Sequence, residues 1–243
     1  NRENSNIEES ILTAYLERQG YSATEITKAI FELKTVANDF SDNLYNTNKN
    51  VYQKLRYGVT VKASVSKNST TVHLIDWQNW ERNDFAIAEE VTVKGNQTKR
   101  PDIVIYVNGI ALGVLELKSG RVDIADGIRQ NITNQQDQFI QSFFGTVQFV
   151  FAGNDTQGLR YGTIKTPEKW YLNWKEEGSE SENKSESESL RLLKLDKYLL
   201  KLCDKERFLE IIHDFVLFDG GIKKLPRVHQ YFGVKAAQKF ANR

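Results

Sequence analysis

The chain has 243 residues, of which 40% are hydrophobic, and its formal net charge is +1. That composition allows a sizeable core and excludes a fibrous or wholly disordered protein. Cys203 is the single cysteine, so we expect no disulfide framework. The apolar runs are too short for a membrane span, and the N-terminus lacks the shape of a signal peptide. We therefore expect a cytoplasmic protein.

The first half of the chain predicts two helices followed by a sheet. Apolar residues share one face between Ile11 and Leu16, and Ser22 with Glu25 forms the capping signature of a second helix. Runs rich in β-branched residues then predict five strands. These strands cover residues 59–65, 70–75, 85–93, 103–107 and 110–117.

The second half of the chain predicts a helix, two strands and then helices alone. The elements are a polar helix at 125–139, strands at 146–151 and 161–164, and helices at 190–202, 206–215 and 230–241. This succession is typical of an α/β protein with a helical C-terminal piece.

A Ser/Glu-rich stretch at residues 175–190 marks the clearest boundary. It contains six Glu and two Lys and almost no apolar residue with which to offset the entropy of ordering. We interpret it as a linker or loop between a domain at residues 1–174 and a helical segment at 191–243; an acidic interaction segment is the alternative. The chain begins at Asn1 and contains no methionine, which favours a fragment of a longer polypeptide.

Two acids and a lysine around one apolar hairpin carry the candidate chemistry. Asp102 follows Pro101, and Glu116-Leu117-Lys118 comes fourteen residues later. Two carboxylates suit Mg²⁺, which prefers oxygen ligands, and the backbone carbonyl of Leu117 is a further candidate ligand. The Lys118 ammonium would orient an attacking water and stabilise charge on a phosphate. The pattern indicates a metal-dependent phosphodiesterase; the alternative is a surface strand with alternating polar residues.

The turn at Asn108-Gly109 decides whether these side chains meet. With a simple two-residue turn, Asp102 would lie opposite Leu115, and Glu116 would point to the other face. A bulged or odd-numbered turn shifts the register by one residue and places both acids on one face. We therefore predict a bulged or odd-numbered turn at this position.

Other charged residues near the motif are further candidates. Glu90, on a preceding strand, is a candidate metal ligand, and an exposed strand face is its alternative. Basic side chains around the motif would contact a nucleic-acid backbone without reading its sequence. They are Lys94, Lys99, Arg100, Arg121 and Arg129.

One segment of the chain resembles a known nuclease signature. The segment covers residues 100–118 and reads Arg-Pro-Asp-Ile-Val-Ile-Tyr-Val-Asn-Gly-Ile-Ala-Leu-Gly-Val-Leu-Glu-Leu-Lys. It is similar to the nuclease signature of the restriction (R) subunit of type I restriction-modification enzymes. These subunits are members of the Pro-Asp…(Asp/Glu)-x-Lys superfamily. The likeness extends to residues 128–135, 152–155, 158–162 and 227–232. It implies a restriction-endonuclease-like fold, with a central mixed sheet flanked by helices and a helical C-terminal extension. It also implies that Asp102 and Glu116 bind Mg²⁺ and that Lys118 is the catalytic lysine.

The resemblance implies roles at two more places. Gln130 matches the first position of a Gln-x-x-x-Tyr motif that contacts DNA or supports the lysine, although Asn134 stands where that motif has tyrosine. A plain helix-surface amide is the alternative for Gln130. Some members of this fold take a metal ligand from an N-terminal helix, for which Glu8 and Glu9 are candidates, with solvated side chains as the alternative.

The C-terminal segment resembles the stretch that leads into the ATPase motor of these subunits. A glutamine recognises adenine there, so the resemblance implies nucleotide contacts for Arg227 and Gln230 in the full-length protein; in this fragment we expect helix-start residues. No Gly-x-x-x-x-Gly-Lys-(Ser/Thr) phosphate loop occurs in the sequence, so we expect no ATP hydrolysis by this chain.

The resemblance implies Mg²⁺-dependent endonucleolytic cleavage of double-stranded DNA, coupled in the full-length protein to ATP-driven translocation. The implied partners are a methyltransferase subunit and a specificity subunit, with no membrane. The alternatives are a non-catalytic DNA-binding or assembly module of the same fold and a stand-alone repair or recombination nuclease. We expect little or no cleavage by the fragment alone.

Overall fold

The structure is a computed structural model of the chain, described over residues 5–64, 68–176 and 193–241. Three helices come first: α1 Glu9–Arg18, α2 Ala23–Ala37 and α3 Leu44–Tyr57. The predicted capping box starts α2, because the Ser22 side chain accepts from the Glu25 N–H while the Glu25 side chain accepts from the Ser22 N–H. The sequence pattern predicts the first two helices and misses α3.

Five strands form a central mixed sheet in the order β3-β4-β5-β6-β7. β5 and β6 are parallel, and the other neighbours in the sheet are antiparallel. The bounds are β3 Phe85–Glu89, β4 Ile103–Val107, β5 Ile110–Leu117, β6 Phe149–Asn154 and β7 Gly158–Gly162, and α4 Ile124–Asn134 connects β5 to β6. A separate antiparallel pair precedes the sheet, β1 Val59–Lys62 with β2 Ser69–Val72. The predicted α/β class with a central mixed sheet is confirmed.

The C-terminal part of the described chain contains three helices and a short hairpin. They are α5 Lys194–Leu202, α6 Lys205–Glu210, β8 Leu217–Asp219, β9 Ile222–Lys224 and α7 Val228–Ala241. The helix predicted at 206–215 continues beyond α6 as a π-helical turn at Ile211–Phe215. No sequence pattern predicted the β8–β9 hairpin. Residues 177–190 of the predicted linker lie outside the described residues.

Several predicted elements end earlier than expected, and two of them lie beside the motif. The strand predicted at 85–93 stops at Glu89, since Glu90 adopts a left-handed φ of 50° that interrupts the extended backbone. The helix predicted at 125–139 stops at Asn134. Both ends lie near the motif of acids and lysine.

The sheet separates two hydrophobic layers. On one face, Phe149 packs with helices α1–α3 and with Phe208 of α6, whose ring centroid lies 5.1 Å from that of Phe149. On the other face, Val104 and Val114 belong to the second layer, and α4 covers Ala152 of β6. The sheet and the C-terminal helices therefore share one core. No helix within the described residues is both long and apolar enough to cross a membrane.

Candidate active site

The β4–β5 hairpin closes with a two-residue turn. Val107 pairs directly with Ile110, and Asn108 and Gly109 both have positive φ, 51° and 80°. This is the combination that a type I′ turn requires. The predicted bulged or odd-numbered turn at Asn108-Gly109 is therefore wrong.

The register shift that the site needs lies inside β5 instead. Tyr106 pairs with Ala111, but Ile105 pairs with Gly113, so Leu112 is an extra residue that bulges out of the ladder. Glycine suits position 113, because a Cβ there would lie 3.2 Å from Ile105 Cδ1. The bulge has the same consequence as the predicted odd-numbered turn, a one-residue shift.

The bulge exchanges the faces of the residues that follow it. Leu112 and Leu115 belong to one core layer although they are three residues apart, and Val114 belongs to the other. Ile103 pairs with Leu115, so Asp102 comes beside Glu116 on the face of Val114. Because side chains alternate along a strand, Lys118 shares that face.

Asp102 is held across the hairpin by a backbone donor. The Leu117 N–H donates to Asp102 Oδ2 at 2.7 Å. The peptide group of Asp102 is also anchored, because the Glu90 N–H donates to its carbonyl oxygen at 2.7 Å. Its side chain is partly exposed, so one carboxylate of the pair is accessible from solvent.

Glu116 is fully buried, with 0% of its surface exposed. Gln130 Nε2 donates to its Oε2 at 2.6 Å, and Asn134 Nδ2 donates to its Oε1 at 3.3 Å. Burial raises the pKa of Glu116 to about 8, the neighbouring Asp102 carboxylate adds to the rise, and the Lys118 ammonium opposes it. When both are ionised, the buried Glu116 and the partly exposed Asp102 repel each other, and a cation between them would stabilise the pair.

Lys118 is fixed by the same amide that contacts the buried acid. Its Nζ donates to Gln130 Oε1 at 2.6 Å, and its backbone N–H donates to Gly153 O at 2.9 Å. Gln130 therefore bridges Lys118 and Glu116. The alternative of a plain helix-surface amide for Gln130 is wrong.

Helix α4 presents these amides because it lies very close to β6. A Cβ on Gly127 would lie 3.2 Å from Ala152 Cβ, so a larger residue would push helix and strand apart by a few tenths of an ångström. Asn131 Nδ2 donates to Phe151 O at 2.8 Å and ties the helix to the strand. Asn134 was not predicted as a site residue. Its position four residues after Gln130, on the same helix face, is the signal that would have found it.

The donor set fits a hard divalent cation. Asp102 and Glu116 offer carboxylate oxygens at adjacent strand ends, and oxygen ligands of this kind suit Mg²⁺. Among the described residues, no group of three or more His, Cys, Asp or Glu side chains is assembled. The remaining ligands would be side-chain amide or backbone oxygen, water or phosphate. A ligand role for the Leu117 carbonyl stays a prediction.

The acids of the N-terminal helix lie at the far end of the hairpin. The Glu8 N–H donates to Gly109 O at 2.7 Å, beside the turn, and Glu9 forms an ion pair with Lys34. The turn is about seven residues from Glu116, or roughly 20 Å along an extended strand. Neither acid supplies a ligand to the site.

Glu90 also stays outside the site. Its carboxylate lies 3.0 Å from the Arg100 guanidinium and is 69% exposed; it is exposed as the alternative predicted, although it lies just beyond the strand and not on it. Lys99 lies over the Phe139 ring, with Nζ 4.2 Å from the centroid. Two of the predicted DNA-binding cations thus have partners within the protein.

The remaining predicted DNA-binding cations lie on the surface. Arg129 pairs with Asp126 and with Glu168, whose Oε1 is 2.9 Å from Arg129 Nη1. Arg121 and Lys94 are exposed. DNA contact by these basic residues stays a prediction.

Arg227 and Gln230 form the start of α7. The Arg227 N–H donates to Gln230 Oε1 at 2.8 Å, which is the second half of a capping box. The expectation of helix-start residues is confirmed for this chain, and their nucleotide role in a longer protein stays a prediction.

Known proteins with similar sequences share one description. The sequence model of the family described as type I restriction enzyme R protein N terminus matches residues 1–169. The HindI endonuclease subunit of a type I restriction enzyme from Haemophilus influenzae is 28% identical over 204 residues, which cover 78% of this chain and 19% of that protein. MjaIXP from Methanocaldococcus jannaschii, whose name assigns it provisionally to the same class of subunit, is 26% identical over 230 residues, which cover 84% of this chain and 21% of that protein. The chain spans about a fifth of the length of these curated relatives.

Proposed function

This chain belongs to the family of type I restriction enzyme R protein N-terminal regions, and we propose that its site at Asp102, Glu116 and Lys118 cleaves double-stranded DNA. The observation that supports the proposal most is the convergence of the three side chains. A bulge at Leu112 turns both acids to one face, and Gln130 joins the lysine to the buried acid. An ordinary surface strand would need neither the bulge nor the bridging amide.

The acids and the lysine have separate roles in the proposed phosphodiester hydrolysis. Asp102 and Glu116 would hold Mg²⁺, which when bound polarises a phosphoryl oxygen and lowers the pKa of a bound water. The Lys118 ammonium, oriented by Gln130, would position the attacking water and stabilise negative charge that develops on the phosphate. The exposed side of Asp102 leaves room for the DNA backbone to approach.

Recognition of the DNA sequence and the energy for translocation would both come from outside this chain. Among the described residues, the site consists of two acids, a lysine and the amides that hold them, which suit a cation and a phosphate and not base edges. Cations near the site, such as Arg121, would bind phosphates regardless of sequence. We propose that methyltransferase and specificity subunits select the DNA, and that an ATP-driven motor in the rest of the R protein controls when cleavage occurs.

The decisive experiment uses the full-length R protein assembled with its partner subunits. Plasmid cleavage is measured with Mg²⁺ and ATP for Asp102→Ala and Lys118→Ala, alongside Glu89→Gln, which changes an exposed acid on β3. We expect the two alanine variants to lose about 100-fold or more in cleavage rate while ATP hydrolysis is unchanged. Glu89→Gln should cleave normally. Wild-type cleavage by either alanine variant would rule out the assigned site.

The fragment by itself should show little cleavage, because the motor that controls cutting is proposed to lie elsewhere in the full-length protein. The measurement is nicking of supercoiled plasmid by the 243-residue chain with Mg²⁺, using Lys118→Ala as the control. Strong nicking that the control lacks would contradict the proposed coupling to a motor, although it would support the site itself.

A further inference from the structure

The geometry points to Asn134 as a positioning residue that holds Glu116 in the orientation needed to bind a divalent cation. This inference rests on the proposed nuclease function, and it concerns the position at which the Gln-x-x-x-Tyr pattern has tyrosine and this chain has asparagine. Asn134 is the last residue of α4 and is only 2% exposed. Its Nδ2 donates to Glu116 Oε1 at 3.3 Å.

Two amides together determine how the buried carboxylate is oriented. Gln130 Nε2 contacts Oε2 of Glu116, and Asn134 Nδ2 contacts Oε1. Each carboxylate oxygen has two acceptor positions, so one amide on each oxygen leaves the other position available to a cation. The two contacts therefore hold the group without occupying its capacity to bind metal.

Gln130 alone does not contact both oxygens of Glu116. The Gln130 amide is shared, because its Oε1 accepts from Lys118 Nζ while its Nε2 contacts Glu116. Without Asn134, Glu116 Oε1 would lose its amide donor beside the repelling Asp102 carboxylate. The carboxylate would then be held by Gln130 at one oxygen only, and its orientation toward Asp102 would be less firmly fixed before the cation binds.

The position of Asn134 is itself fixed by the end of α4. The Ile140 N–H donates to the Asn134 carbonyl at 3.2 Å, so the chain folds back over the helix terminus. The next residue, Gln135, accepts from the Lys165 N–H at 2.7 Å. Asn134 therefore sits on a rigid backbone, as a residue that orients a metal ligand should.

Asn131 provides a matched control on the same helix. It lies three residues before Asn134, is 0% exposed, and also donates a side-chain amide hydrogen bond, at 2.8 Å. Its acceptor is the backbone carbonyl of Phe151 and not Glu116. A purely structural role for buried asparagines would make the two alanine variants behave alike, whereas a positioning role separates them.

The experiment measures metal binding by the 243-residue chain, without DNA and without turnover. Calorimetric titration with Ca²⁺, a hard cation used here as a probe, is compared for wild type, Asn134→Ala, Asn131→Ala and Glu116→Gln. We expect Asn134→Ala to bind about 10-fold or more weakly, in line with the loss of a hydrogen bond to a metal ligand. Asn131→Ala should lower the melting temperature and leave the affinity unchanged.

The outcomes separate this inference from the proposed function. If Glu116→Gln binds Ca²⁺ as tightly as wild type, the metal site itself is wrong. If Glu116→Gln abolishes binding but Asn134→Ala matches Asn131→Ala in affinity, only the role of Asn134 is wrong.

A measurement on the unaltered protein covers the case in which Asn134→Ala does not fold. In a ¹⁵N-labelled chain, the side-chain amide signals of Asn134 should shift during the Ca²⁺ titration with the midpoint of metal binding, and those of Asn131 should stay in place. Equal shifts at both asparagines would overturn the inference.

Discussion

The two ends of the β4–β5 hairpin each contain a fully buried polar side chain, and the two are stabilised in opposite ways. At the turn end, Asn108 is 0% exposed. Its Nδ2 donates to Leu74 O at 2.9 Å and to Asn83 Oδ1 at 2.8 Å, and its Oδ1 accepts from the Asp84 N–H at 2.7 Å. Every polar atom of this amide has a neutral partner, so the network is complete.

At the open end, Glu116 is equally buried but lies beside a second carboxylate. Amides contact both of its oxygens, yet its pKa still rises to about 8, chiefly through burial and then through Asp102. Burial of a polar group therefore does not by itself indicate function. A neighbour of like charge, which a cation would neutralise, distinguishes the candidate site from the structural network.

Deleting Leu112 should have the largest effect, because it removes the bulge that makes the two ends different. Without the extra residue, Glu116 and Lys118 would turn toward the opposite layer of the core. We expect the deletion to cost more than about 4 kcal/mol and to prevent cooperative folding. Circular dichroism during thermal unfolding measures this. Leu112→Ala keeps the register and should cost only about 3 kcal/mol. A deletion variant as stable as Leu112→Ala would show that the bulge does not determine the register.

Asn108→Ala tests the complete network at the turn end. The change leaves the Asp84 N–H and the Leu74 carbonyl without their partner in a buried place, so we expect a loss of about 3 kcal/mol in the free energy of unfolding. Urea denaturation measures it. Lys165→Ala is the control, because Lys165 has a similar φ of 56° but is exposed; it should cost less than about 0.5 kcal/mol. Equal losses in the two variants would mean that backbone conformation, and not the network, accounts for the effect.

Glu116→Gln tests the open end of the hairpin through the pH dependence of stability. The expected effect is the smallest of the three. The pKa of Glu116 rises from 4.5 to about 8 on folding, so the folded state binds more protons than the unfolded state between these values. The contribution of Glu116 is most favourable below about pH 4.5 and is lost as pH rises toward 8. Between pH 6 and pH 8, with a chelator present, we expect wild type to lose about 2 kcal/mol more stability than Glu116→Gln.

The control for this pH dependence is Glu89→Gln, which removes an exposed carboxyl group from the neighbouring strand. Its stability should follow the wild-type curve across the same pH range. If Glu116→Gln also followed that curve, the buried carboxyl would not be the group that titrates, and the contrast between the two ends of the hairpin would fail.

Sequence patterns missed elements whose stability comes from distant contacts. Helix α3, Leu44–Tyr57, is rich in asparagine and tyrosine, which are weak helix formers. It is held by tertiary contacts such as those of buried Asn48, whose Nδ2 donates to three backbone carbonyls in the segment before β6, at distances of 2.8 to 3.2 Å. Nothing in the local sequence shows that this asparagine faces inward.

The β8–β9 hairpin was missed for a related reason. The strand β9 reads Ile-Lys-Lys, which resembles an exposed segment, yet Lys223 is 4% exposed. Its Nζ donates to Asn48 Oδ1 at 2.8 Å and to Gln148 Oε1 at 2.6 Å, and burial holds its pKa well below the usual value. Distant residues along the chain decide that this lysine is buried.

Local sequence patterns identified the residues of the candidate site and the strands that carry them. Asp102, Glu116 and Lys118 are recognisable because residue types and spacing within a short hairpin are local properties, as are the apolar runs of β4 and β5. The tertiary structure alone decided where the register shifts, that Leu112 and not the turn provides it, and that Gln130 and Asn134 contact Glu116. Those outcomes depend on how α4 packs on β6 and on which face of the sheet is buried. Such contacts join residues far apart in the chain, so no short pattern encodes them.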